Sequence, residues 1–98
     1  MNRAFDPQKG RFRLNPRYRL QWEEAQQCHV LLYPEGLIKL NGSAAEILER
    51  CREPVSAADL IATLQQTFPD AQGLAGDVNE FLEHAADQEW IVPEQEKT

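Results

Sequence analysis

The stretch Leu31 to Leu48, LLYPEGLIKLNGSAAEIL, decides how this chain is read. Two apolar runs flank Pro34-Glu35-Gly36, and such a break between apolar runs signals a hairpin. Proline sets φ for the first turn position, and Gly36 is able to take the left-handed conformation that ends such a turn. The second run, Leu37-Ile38-Lys39-Leu40, stops at Asn41-Gly42. Ser43 to Glu46, SAAE, then fits a capping box in which Ser43 accepts from the Glu46 amide and the Glu46 side chain reaches back. A hairpin thus runs straight into a helix, and Leu37 to Leu40 is expected to be a short strand pinned at both ends.

Upstream, Tyr18, Leu20 and Trp22 alternate with Arg19 and Gln21, the period of a half-buried strand. Glu23 to Gln27 is a polar connection, and Cys28 to Tyr33, CHVLLY, is nearly continuous and apolar, as in a central strand. The three strands make an antiparallel meander. Residues 1–16 hold two prolines, a glycine and scattered arginines with no sustained period, which predicts an irregular arm.

Downstream come three helical stripes. Ala44, Ile47, Leu48 and Cys51 fall on one helix face, and Arg52-Glu53-Pro54 ends the segment because the residue before proline leaves the helical region. Ser56 to Asp59 is a second cap, followed by Leu60, Ile61, Leu64 and Phe68 up to Pro69. The longest helix, about Leu74 to Gln88, has Leu74, Val78, Phe81, Leu82 and Ala85 on one face and Asp77, Glu80, Glu83 and Asp87 on the other. Trp90-Ile91-Val92 is expected to close the core beneath it. The plan is α+β and winged helix-turn-helix-like, a three-stranded meander followed by three helices. It divides into an arm (1–16), a folded domain (17–92) and a polar tail (93–98).

A chain of 98 residues supports one core. Its net charge of −6 is uneven: residues 1–19 carry six cations and one acid, so residues 20–98 carry −11. The arm is expected either to be solvated or to dock on an acidic surface, its own or a neighbour's. No apolar run approaches membrane length and the N-terminus has no apolar signal core, so a cytoplasmic protein is expected. The cysteines, Cys28 and Cys51, lack histidines at metal-ligand spacing and are expected to be small buried side chains, with a disulfide left open.

The helix-turn-helix outline raises DNA binding, in the form of a small winged-helix DNA-binding protein, as the alternative function. Phosphate neutralisation needs Lys or Arg, and neither Ser56 to Phe68 nor Leu74 to Gln88 has one. Catalysis finds no footing either. Cys28 and His29 are strand neighbours that point to opposite faces, and Glu80 and His84, though at i and i+4, have no nucleophile nearby in sequence. No glycine-rich phosphate loop is present in the sequence. No enzymatic activity, cofactor or metal is expected. Recognition remains, in which an open edge at Leu37 to Leu40 takes an extended peptide as a further strand. A purely structural subunit of a larger complex is a third reading.

LLYPEGLIKLNGSAAEIL, with PRYRLQWEEAQQCHV before it and DVNEFLEHAADQEWIV after it, resembles the PqqD family of pyrroloquinoline quinone (PQQ) biosynthesis. The likeness runs from about Leu14 to Val92 and departs at Arg52-Glu53-Pro54, where an Asp-Gly turn is common in the family. It implies a non-catalytic peptide chaperone, a recognition element for a ribosomally made precursor. The family binds the precursor peptide PqqA and presents it to PqqE, a radical S-adenosylmethionine enzyme that crosslinks a Glu and a Tyr and holds the iron-sulfur cluster itself. The implied peptide site is Leu37, Ile38, Lys39 and Leu40 on the strand, with Val78, Leu82 and Ala85 on the third helix. The sequence leaves open whether Ile38 or Lys39 turns its N–H outward. A homodimer formed by exchange of the arm is a further expectation.

Overall fold

A computed structural model describes residues 5–94. The meander is present: β2 (Arg19–Glu23), β3 (Cys28–Tyr33) and β4 (Gly36–Lys39) form an antiparallel sheet in the order β2-β3-β4. Pro34 and Glu35 alone make the β3–β4 turn, because Gly36 already pairs with Tyr33. Gly36 has φ 159, close to extended, so the left-handed ending expected of it is not used. Leu20, Leu31 and Ile38 lie opposite one another across the strands and form the row that faces the core.

Three helices follow, α1 (Gly42–Glu49), α2 (Ala57–Thr67) and α3 (Leu74–Asp87). The start of α1 differs from the expected capping box. Asn41 is the cap, its Oδ1 accepting from the Ala44 amide at 2.8 Å, while Glu46 turns away to pair with Arg50 at 2.6 Å. Both Asn and Ser favour this position, and two residues of register decide between them. Ser56 does cap α2, with its Oγ accepting from the Asp59 amide at 3.1 Å. Gly73 precedes α3 at φ 67, the left-handed region that a residue without Cβ enters freely.

The expected irregular arm is partly a strand. Residues 11–14 form β1 (Arg11–Leu14), which pairs antiparallel with β5 (Val55–Ser56) on one side and β6 (Ile91–Pro93) on the other. This second sheet ties together segments about 40 and 80 residues apart in the chain. Phe12 is fully buried at its centre, so the arm contributes to the core. Asn15, also buried, donates from Nδ2 to the Glu89 carbonyl at 2.8 Å and accepts from the Arg17 amide at 2.9 Å, which satisfies its amide group. The arm's charge is partly engaged within the chain itself: Arg11 pairs with Glu94 at 3.3 Å and donates to the Pro54 carbonyl. The parts of the expected arm and tail at 1–4 and 95–98 lie outside the described residues.

The core combines Phe12, Leu20 and Leu31 with the helical stripes, including Leu48, Leu60, Leu64, Val78 and Leu82. Trp90 closes it from below, its ring set against Phe81 and edge-on to His84, so His84 is a packing partner for an indole. Cys51 is buried and donates to the Ile47 carbonyl; burial pushes its thiol pKa up to about 12. Both cysteines are free thiols.

Candidate functional site

β4 is an edge strand, and the pairing register determines which of its residues face outward. In an antiparallel ladder, opposed residues alternate between pairs that exchange main-chain hydrogen bonds and pairs that do not. The Leu40 amide donates to the His29 carbonyl at 3.0 Å, which identifies His29 and Leu40 as a bonded pair. Stepping two residues at a time along the register, Leu31 with Ile38 and Tyr33 with Gly36 are bonded pairs as well. Ile38 is therefore committed to β3. Leu37 and Lys39 direct their N–H and C=O groups away from the sheet, and both are exposed, Leu37 by 46%. Successive outward residues of this kind are what an added strand pairs with.

Where β4 ends, a groove begins. Asn41, Gly42 and Ser43 open it, and its apolar lining includes Ile47, Leu64, Leu74, Val78 and Phe81; its volume is about 510 Å³. Phe68, 39% exposed, stands at its α2 side, and Glu46 and Asp77 make it acidic. The short link between β4 and α1 thus brings the open edge and the groove together.

The residues expected to form a site do not all reach this surface. Leu37 and Lys39 are exposed on the edge. Ile38 is half-buried and bonded inward, and Leu40 is buried with its amide engaged. Of the helix residues, Val78 lines the groove from the core side, whereas Leu82 and Ala85 are fully buried and line no part of it. The outward positions of α3 at the groove are Leu74, Asp77 and Phe81 instead. The apolar stripe of α3 is wider than one face needs for packing, and its N-terminal half reaches the surface. Leu64 of α2 and Phe68, the residue that follows the helix, were not anticipated. Their signal was an apolar stripe that continued to the last residue before Pro69.

Among the described residues, no group of His, Cys, Asp and Glu is placed to hold a metal ion, and no helix is long and apolar enough to cross a membrane. α2 carries no Lys or Arg, and α3 carries Asp77, Glu80, Glu83 and Asp87, so neither helix offers phosphate-neutralising charge.

Residues 28–91 match the family model for coenzyme PQQ synthesis protein D (PqqD). A protein of Azotobacter vinelandii named PqqA binding protein is 53% identical over 74 residues, covering 76% of this chain and 80% of its own length. Proteins of the same name from Klebsiella pneumoniae (54% over 75 residues, 76% and 82% covered) and Acinetobacter baylyi (49% over 77 residues, 79% and 78% covered) are also similar. The fold resembles the solution structure of the PqqD part of Methylobacterium extorquens PqqCD, described as a stand-alone recognition element for ribosomally synthesised, modified peptides. The TM-score is 0.68 at 22% identity, over 90% of this chain and 99% of that one. With the family model spanning strand, turn and all three helices, the chain belongs to the PqqD family of coenzyme PQQ synthesis proteins.

Proposed function

We propose that this protein binds the precursor peptide PqqA in PQQ biosynthesis by adding it as a strand to the outer edge of β4. The observation that carries the reading is the pair of exposed outward residues, Leu37 and Lys39, on an edge strand that leads into an apolar groove. Main-chain pairing supplies affinity with little dependence on sequence, and pockets beside the edge supply selectivity. An apolar side chain of the peptide enters the groove over Leu74, Val78 and Phe81. The acidic rim favours a basic neighbour on the peptide.

The protein acts by binding and carries no catalytic centre of its own. It delivers the peptide to the radical enzyme PqqE, which supplies the iron-sulfur cluster and the chemistry. That step is supported by the family resemblance alone. A homodimer, if formed, arises by exchange of β1, since a β1 from a second copy reproduces the same ladder with β5 and β6. The folded domain then starts at β1, so the recognition unit extends over residues 11–93.

Titration of isotope-labelled protein with synthetic PqqA tests the reading. The amides of Leu37 and Lys39 are expected to shift most, followed by those lining the groove. Saturating peptide with no change at these amides would rule the edge out.

A further inference from the structure

The meander has two edges, and among the described residues one of them is open. We infer that Arg52 closes the other and so determines which edge takes the peptide; the inference rests on the strand-addition reading above. In β3, His29, Leu31 and Tyr33 bond to β4, so Cys28, Val30 and Leu32 bond to β2, where they oppose Glu23, Gln21 and Arg19. Leu20 and Trp22 are therefore the residues of β2 whose main-chain groups face away from the sheet. Left bare, they would match Leu37 and Lys39 as a second docking edge.

Leu20 is not bare. Arg52 Nη2 donates to its carbonyl at 2.8 Å. The guanidinium is held in that position by Glu49, through Nε to Oε1 at 2.8 Å and Nη2 to Oε2 at 3.1 Å, a two-point contact that fixes its plane. Glu49 is in turn flanked by His29 Nε2 at 3.4 Å. Leu20 is only 3% exposed, in contrast to Leu37 on the open edge. Just upstream, the Tyr18 amide is taken up by the Asn15 carbonyl in a turn. Trp22 is exposed, but a single outward residue with no open neighbour two positions away does not support a ladder. Arg52 is a specificity-determining residue: it leaves an extended peptide one edge of the meander to pair with, and it denies a second copy of the chain a β2 edge to pair with.

The test compares wild type with Arg52→Ala, and with Glu49→Gln as a milder variant that loosens the guanidinium. Without peptide, the carbonyl 13C resonance of Leu20 is expected to move upfield in Arg52→Ala, because the charged donor on that oxygen is lost. With synthetic PqqA, wild type is expected to show shifts at Leu37 and Lys39 and one peptide per chain. Arg52→Ala is expected to keep those shifts, which report an intact fold, and to add shifts at Leu20 and Trp22 with more than one peptide per chain. Intact β4 binding with a silent β2 and an unchanged Leu20 carbonyl resonance would overturn the role of Arg52 and leave the docking reading standing. A silent β4 in wild type would overturn the docking reading; the carbonyl comparison would then decide the edge cover by itself, with equal shifts counting against it.

Discussion

Replacing Lys39 by proline separates main-chain pairing from every other way a peptide might bind. Lys39 is opposite Val30 and makes no main-chain bond to β3, so its proline variant leaves the Ile38–Leu31 and Leu40–His29 bonds in place. Proline at 39 also holds Ile38 in the extended region it already occupies. What is lost is the outward N–H and the space beside it. Between them, Leu37 and Lys39 offer four main-chain groups to an incoming strand, each worth about 0.5–1.5 kcal/mol net. Removing one donor also leaves a peptide carbonyl unpaired, so the loss is about 2 kcal/mol, or roughly thirtyfold in Kd. Lys39→Ala keeps the backbone and is expected to cost less than about 0.5 kcal/mol. Fluorescence anisotropy with labelled PqqA measures both, and a thermal melt confirms that each variant is folded. Proline at 38 is a different experiment, because it removes a ladder bond to Leu31 and weakens the fold itself. Equal affinities for folded Lys39→Pro and Lys39→Ala would refute strand addition at this edge.

Other perturbations read other parts of the molecule. Leu82→Ala deletes a side chain with no exposed surface and is expected to lower unfolding free energy by about 2–5 kcal/mol in a urea titration; a near-neutral result would contradict its place in the core. Asn41→Ala is expected to cost about 1 kcal/mol by removing the cap of α1. Ser43→Ala should change the same urea midpoint very little, and the reverse order would restore the capping box centred on Ser43. Thiol labelling at pH 8 should modify Cys28 in the native protein and spare Cys51, whose thiol is buried and has its pKa pushed up to about 12. Because folding raises that pKa above its ordinary value of 9.0, the buried thiol favours the folded state below pH 9 and the contribution falls away as pH rises toward 12. Rapid native labelling of both thiols would show that α1 opens readily.

Much of the fold was legible because it is encoded locally. The Pro34-Glu35 hairpin, the cap at Ser56, the stop at Pro69 and the α3 stripe each depend on residues within a few positions of one another. β1 was the principal omission, although Phe12 and Leu14 do alternate with arginines. A four-residue strand in the five positions between Gly10 and Pro16 gives a weak signal, and its partners, Val55-Ser56 and Ile91 to Pro93, lie far along the chain. A strand this short is stable only when both neighbours are in place, and no local pattern reports that. The capping register at α1 was missed for a smaller reason, since Asn41 and Ser43 are both good caps and only the geometry leaving β4 selects one.

For the candidate site the division follows the same physics. By itself, the sequence determined that a short strand lies beside a capped helix, one residue earlier (Gly36–Lys39) than the expected Leu37 to Leu40, that the helices lack phosphate-binding charge, and that the family motif is present. Which residues of that strand face outward was decided only by the tertiary structure, because hydrogen-bond parity depends on register with β3. The same is true of α3: a stripe of Leu74, Val78, Phe81, Leu82 and Ala85 is one apolar face in sequence. Packing against the sheet and α2 buries Leu82 and Ala85 and leaves Leu74 and Phe81 at the groove. The openness of one edge and the closure of the other belong to the fold as well, since Arg52 meets the carbonyl of Leu20 only when α1 has packed on the meander at β3.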